Sequence, residues 1–348
     1  MSTAKLELDS TFAPGTQPPP TPERLFEALH AYQRTEAFKA AVELELFTAV
    51  GDGLETVPEL AKRMKASERG VRALADYMVI IGFLTKKDGR YGLTADAAVF
   101  LDKKSPAYAG SMTRFMASPA VLEAFRDLAT VVRTGKPLSG DGLTTADHPS
   151  WVDFARNMAP LLHMVALQTA KLVRTAAPIK VLDVAAGHGM FGITVAQQSP
   201  SAQIVGLDWA LVLEVARENA RRTGVLDRYT LLPGSAFEVS YGTGFDVVLV
   251  PNFLHHFDRV QIQKFLIKVR EALSSTGRIV IVEFVPNEDR VSPPIAAGFV
   301  LNMLAMTPGG DAYTASEYEA MLRQAGFQDV RLHSLAPTPH SAIVATRK

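Results

Sequence analysis

From Pro178 to the C-terminus, apolar runs at residues 179–184, 203–207, 229–233, 245–250 and 278–285 alternate with helical stretches at 190–198, 210–224, 259–274 and 314–325. This alternation constrains the fold more than any other feature of the chain. Each run is too uniformly apolar to leave one face in water, so it needs cover on both sides. Helices between the strands supply that cover in an α/β doubly wound sheet of mainly parallel strands. The closing stretch VRLHSLAPTPHSAIVATR adds two runs joined by a proline-containing turn, which reads as a C-terminal antiparallel hairpin.

Upstream the texture changes. Residues 1–22, ending PGTQPPPTP, carry no apolar periodicity and read as a disordered arm. Residues 23–105 read as a mainly helical domain. An apolar stripe of Leu25, Phe26, Leu29 and Tyr32 comes first. Helix, tight turn at Ala66-Ser67 with Ser67 as N-cap, second helix and a hairpin around Lys87-Asp88-Gly89 follow over residues 56–94. That order is a winged helix-turn-helix, whose obvious partner is DNA. Charge opposes this, because residues 1–110 carry 14 Lys/Arg against 15 Asp/Glu, and the second helix ends in the apolar run Tyr77-Met78-Val79-Ile80-Ile81. A homodimer formed through this domain is the expectation, with no nucleic acid partner. Residues 106–176 read as a helical linker and substrate lid, interrupted by the Gly/Pro/Asp-rich loop 136–150.

The whole-chain balance of 36 basic and 36 acidic residues argues in the same direction, since a polyanion-binding face needs excess positive charge. The absence of cysteine excludes disulfides and thiolate chemistry. No stretch is long and apolar enough to span a membrane, and the N-terminus lacks a secretory pattern, so a cytoplasmic protein with no membrane partner is expected.

In an open α/β sheet the ligand sits beyond the carboxyl ends of the strands. There VLDVAAGHGMFG, residues 181–192, holds G-x-G-x-x-G at Gly187, Gly189 and Gly192. Asp183 separates the ligands such a turn accepts. A carboxylate repels a pyrophosphate and attracts a sulfonium and an ammonium, which favours S-adenosylmethionine (SAM) over NAD. The alternative is that Asp183 bonds loop amides only. Asp208, after the second run, suits the hydroxyls of a ribose in either cofactor. No G-K-[ST] follows the glycines, which excludes a P-loop. After the third run, Ser235, Ala236 and Phe237 are placed for an adenine, and Trp209 offers a second aromatic face; as bulky apolar residues Phe237 and Trp209 suit the core equally.

The fourth run ends in His255-His256. Adjacent histidines rarely point at one ion and Asp258 has unhelpful spacing, so no metal site is expected. An imidazole can instead accept a proton near neutral pH as a hydroxyl attacks an electrophilic methyl. Glu283 closes an otherwise apolar strand, where a buried charge needs a partner, and a histidine at the tip of the neighbouring strand provides one.

Taken in order, VLDVAAGHG, GLDWALVLEVARENA, GSAFE, NFLHHFD, VEF and MTPGGDAYT resemble the class I SAM-dependent O-methyltransferases with an N-terminal winged-helix dimerisation domain, from about Leu25 to Arg347. The resemblance implies a Rossmann-like SAM-binding catalytic domain over residues 177–348. It implies His255 as general base, oriented by Glu283, and it adds Asn252 to the cofactor contacts. Where the family's second orienting acid is expected stands Ala312; either Asp311 beside it substitutes, or His255 is held by one acid only. Ala185, Ala186, Ser235 and Pro251 also depart from the family pattern. The acceptor pocket is expected from Phe154, Met158, Phe253, His256, Phe299, Met303 and Met306, an apolar, Met-rich wall suited to an aromatic or polyketide-like metabolite. Rival readings are methylation at carbon, a ligand-responsive DNA-binding regulator, and an NAD-dependent oxidoreductase, the last disfavoured by Asp183.

Overall fold

The computed structural model describes residues 20–142 and 149–348. Residues 1–19 of the expected arm and residues 143–148 of the expected loop lie outside the described residues. Contacts divide the chain into two compact units, one ending at Thr94 and one beginning at Ala95.

The first unit runs α1 (Glu23–Glu43), α2 (Leu46–Gly51), α3 (Val57–Met64), α4 (Glu68–Ile80) and the antiparallel pair β1 (Leu84–Lys87) and β2 (Arg90–Leu93). Local chemistry sets the boundaries. Thr56 and Glu59 form a capping box on α3, and Ser67, the expected N-cap, accepts the Gly70 N–H on Oγ at 3.1 Å at the start of α4. Phe47, Leu60, Val71, Met78 and Tyr91 are buried in this unit, whereas Leu25, Phe26, Leu29 and Tyr32 on α1 are exposed.

The second unit opens with α5 (Ala95–Phe100), α6 (Thr113–Met116), α7 (Pro119–Ala124), α8 (Leu128–Thr134) and the long α9 (Pro149–Val173). The expected alternation follows: β3 (Lys180–Val184), α10 (Met190–Gln198), β4 (Gln203–Asp208), α11 (Ala210–Arg222), β5 (Tyr229–Pro233), β6 (Phe245–Pro251), α12 (Arg259–Ala272), β7 (Leu273–Glu283), α13 (Pro294–Met306), α14 (Ala315–Gln324), β8 (Phe327–Ser334) and β9 (Ser341–Arg347). The seven strands form one sheet in the order β5-β4-β3-β6-β7-β9-β8, with β9 antiparallel to both of its neighbours and the other pairings parallel. This Rossmann-like mixed sheet with its antiparallel C-terminal strands is the architecture the apolar runs require. One run is longer than expected. Strand β7 starts at Leu273, which pairs with Phe245, and Gly277 permits the approach, since a Cβ there would lie 2.7 Å from the Phe245 carbonyl oxygen.

Both faces of the sheet are covered. Leu162, Val165, Phe191, Ile193 and Leu213 pack in one buried cluster, and Phe265, Leu266, Val269, Tyr318 and Leu322 in another. Each such side chain contributes about 1.5–3 kcal/mol on burial. The chain winds β3 to β4 to β5 in one direction and β6 to β7 in the other, so the strand order reverses between β3 and β6. At such a reversal the loops after the two strands part and leave a crevice. No helix among the described residues is long and apolar enough to cross a membrane.

Candidate active site

The loop after β3 is the glycine turn. Ala185, Gly187 and Gly189 have φ of 51°, 56° and 75°, left-handed values that a Cβ makes costly at Ala185. Beneath the turn Asp183 is fully buried, with Oδ2 accepting the Gly192 N–H at 2.8 Å. The carboxylate therefore bonds a loop amide from below and is not open to the crevice, which corrects the expectation that it meets the ligand's charges directly. Burial pushes this carboxyl up to about 8. Tyr229, not singled out from the sequence, places its buried hydroxyl beside Asp183. Glycine makes room for both: a Cβ on Gly192 would lie 2.9 Å from Asp183 Oδ2, and one on Gly206 would lie 2.5 Å from the Tyr229 hydroxyl.

Asp208 ends β4 half-buried. Its Oδ2 accepts the Gly187 N–H at 2.8 Å and its Oδ1 the Trp209 N–H at 2.7 Å, while burial raises the carboxyl to about 6. Each oxygen keeps a further lone pair. Trp209 packs on Ala155, Val212 and Val215. Ser235 Oγ accepts the Phe237 N–H at 3.2 Å, and the carbonyl of buried Ala236 accepts from the Tyr241 hydroxyl and from Lys268 Nζ. These residues fit SAM. The backbone at Gly187 is open, since a Cβ there would meet nothing nearer than the Ala185 oxygen at 3.8 Å, and the remaining lone pairs of Asp208, which accepts the Gly187 N–H, suit two hydroxyls.

Across the crevice, β6 leads into a 3₁₀ turn, Leu254–His256, that carries the paired histidines. His255 Nδ1 lies 2.5 Å from Oε2 of the fully buried Glu283, whose Oε1 accepts the N–H groups of Phe253 at 3.0 Å and His255 at 3.3 Å. Burial lowers the His255 imidazole and raises the Glu283 carboxyl, while the N–H groups aimed at Glu283 favour its ionised form. Nε2 of His255 has no hydrogen bond among the described residues. His256 Nδ1 donates to the Phe253 carbonyl at 3.1 Å, and Asp258 caps α12 by accepting the Gln261 N–H at 2.8 Å.

Asp311 does not reach the imidazole. Its backbone N–H donates to the His255 carbonyl at 3.0 Å, its Oδ1 accepts the Ala312 N–H at 2.8 Å, and its Oδ2 lies 4.0 Å from Arg290. Asp311 thus holds the main chain of His255, and among the described residues only Glu283 bonds the ring. Asn252 likewise departs from expectation. At φ 50° it turns its side chain to His340, with Oδ1 3.1 Å from His340 Nε2.

The expected acceptor residues divide. Phe299 stands edge-on to His255 at 4.9 Å between ring centres, and Met303 and Met306 follow it on α13. Phe154 on α9 reaches His256 through Trp151, whose ring lies 6.3 Å from Phe154 and 5.5 Å from His256. Met158 is buried one turn further along. Phe253 leaves this group and packs with Phe237, Phe257 and Phe265, its nearest ring centre 4.8 Å away.

Residues 126–328 match the O-methyltransferase domain and residues 26–103 the O-methyltransferase dimerisation domain. The 3-hydroxy-5-methyl-1-naphthoate 3-O-methyltransferase of Streptomyces sahachiroi is 30% identical over 316 residues, which cover 90% of this chain and 91% of the relative. A Nostoc punctiforme protein proposed to be an O-methyltransferase superposes with TM-score 0.91 at 49% identity, over 94% of this chain and 99% of its own. Human N-acetylserotonin methyltransferase, solved with SAM, has the same fold, with TM-score 0.81 at 20% identity over 97% of this chain and 99% of its own.

Proposed function

The chain belongs to the O-methyltransferase family, with SAM as its methyl donor, and from that premise we propose that His255 is the general base for methylation of a hydroxyl on a small aromatic or polyketide-like metabolite. The 2.5 Å contact between His255 Nδ1 and Glu283 carries this reading. With the proton on Nδ1 and Glu283 ionised, Nε2 presents its lone pair to an acceptor. SAM, when bound, supplies an electrophilic methyl. The Asp208 carboxylate and the turn at Gly187 and Gly189 would hold its ribose and backbone, and Ser235, Ala236, Phe237 and Trp209 its adenine. His255 takes the acceptor's proton as the oxygen becomes nucleophilic, and Glu283 stabilises the imidazolium that forms. A phenol, with a pKa of about 10, needs this help near neutral pH.

Phe154, Met158, Phe299, Met303 and Met306 make the apolar wall, with His256 and Trp151 at its polar end. A flat aromatic acceptor matches such a wall, as does the naphthoate in the name of the Streptomyces relative. We assign residues 23–105 to dimerisation, 106–176 to the linker and lid, and 177–348 to catalysis. The exposed Leu25, Phe26, Leu29 and Tyr32 on α1 support a homodimer through the first unit. The test is product analysis with methyl-labelled SAM and a panel of phenolic and enolic acceptors. A methyl ether supports the reading, and a methyl on carbon overturns it.

A further inference from the structure

His340 lies outside the motifs that build the site, yet it adjoins them. It is 3% exposed and directly precedes Ser341, which pairs with Glu283 between β9 and β7. An amide oxygen only accepts, so His340 Nε2, 3.1 Å from Asn252 Oδ1, carries the hydrogen. The His340 ring lies 4.1 Å from Phe284, Phe284 lies 4.4 Å from Phe299, and Phe299 lies 4.9 Å from His255. Asn252 holds the left-handed φ of 50°, which after glycine asparagine tolerates best. That conformation swings the chain from the end of β6 into the 3₁₀ turn and aims the N–H groups of Phe253 and His255 at Glu283 Oε1. Asn252 Nδ2 and His340 Nδ1 are buried without partners. Buried polar atoms without partners oppose folding, so this pair is costly as packing alone.

We propose that His340 and Asn252 form a positioning pair for the catalytic base. Their hydrogen bond fixes the turn at Asn252 and thereby holds Glu283 and His255 together, a restraint that the alanine at position 312 cannot add. The inference rests on the reading of His255 as the base.

It is tested by NMR of the imidazoles in the full chain, histidine-labelled and bound to S-adenosylhomocysteine, in the wild type, His340→Phe and His340→Gln. Phenylalanine keeps the ring contact with Phe284 without a donor, and glutamine restores an N–H near the position of Nε2. In the wild type His255 shows the Nδ1–H tautomer, with that proton far downfield. His340→Phe loses the downfield proton, His340→Gln recovers it, and S-adenosylhomocysteine affinity stays unchanged in both. His255 resonances in His340→Phe identical to the wild type overturn the positioning role alone. Absence of the Nδ1–H tautomer in the wild type overturns the base reading itself. Should His340→Phe fail to fold, Asn252→Gly, which keeps the left-handed turn and removes the acceptor, is read in the same way.

Discussion

Glu283 holds His255 twice: Oε2 lies 2.5 Å from the ring Nδ1, and Oε1 accepts the residue's own backbone N–H at 3.3 Å. One carboxylate therefore fixes both the direction of the imidazole and the main chain that carries it. The restraint exists in the folded chain before any ligand arrives, which is the condition under which a base contributes most.

Replacing Glu283 by glutamine keeps the shape and removes the charge that, with His255 as the base, would stabilise the imidazolium. Turnover of the Glu283→Gln enzyme is expected to fall by about two to four orders of magnitude. Affinity for S-adenosylhomocysteine, measured by calorimetry, should not change. Turnover within a few-fold of the wild type would remove Glu283 from the mechanism.

Asp311 makes the opposite case. Its carboxylate faces its own turn and Arg290, and its contact with His255 is through backbone. Asp311→Asn should retain turnover within a few-fold and stability within about 0.5 kcal/mol. A loss as large as that of Glu283→Gln would restore Asp311 as a second orienting acid.

Gly310 packs on the histidine turn so closely that a Cβ would lie 2.2 Å from the His255 carbonyl oxygen and 2.5 Å from Thr307 Oγ1. Gly310→Ala must displace the turn, at a cost of about 1–3 kcal/mol in thermal unfolding. Turnover should drop with it, whereas the glycine loop on the far side of the crevice keeps its cofactor affinity. Unaltered turnover in a folded Gly310→Ala enzyme would show that the position of His255 is not critical.

The buried Asp183 predicts a pH dependence of stability. Its folded pKa of about 8 stands above the ordinary 3.8, so the folded state holds the proton more tightly than the unfolded state. Its favourable contribution is complete below about pH 4 and is lost as the pH rises toward 8, and Asp208, raised to about 6, acts with the same sign. Asp183→Asn keeps an oxygen for the Gly192 N–H and offers an N–H to the neighbouring Tyr229 hydroxyl. Without SAM, the melting temperature of the variant should exceed that of the wild type at pH 8, with the advantage shrinking toward pH 4. Parallel curves across this range would contradict the assignment.

Much of this arrangement is legible in the chain. A doubly wound sheet must bury its strands on both faces and present ligands at their carboxyl ends. The apolar runs therefore located β3 to β7; Asp208 and Glu283 close β4 and β7, and His255 stands in the turn after β6. What spacing does not carry is the direction a side chain takes after a turn. Asn252 at φ 50° points to His340, 88 positions away in sequence. Phe253 turns into a cluster with Phe237, Phe257 and Phe265. Asp311 directs its backbone and not its carboxylate at His255. Tyr229 looks like any aromatic at the start of a strand until Gly206 and Gly192 are seen to leave its space. Each of these depends on tertiary packing that one-dimensional periodicity does not encode.

The most direct test compares the wild type with His255→Ala, using methyl-labelled SAM, an accepted phenol and a parallel calorimetric titration with S-adenosylhomocysteine. With His255 as the base, turnover falls by about two to four orders of magnitude while S-adenosylhomocysteine binds as it does to the wild type. Equal turnover in the two enzymes would contradict the account.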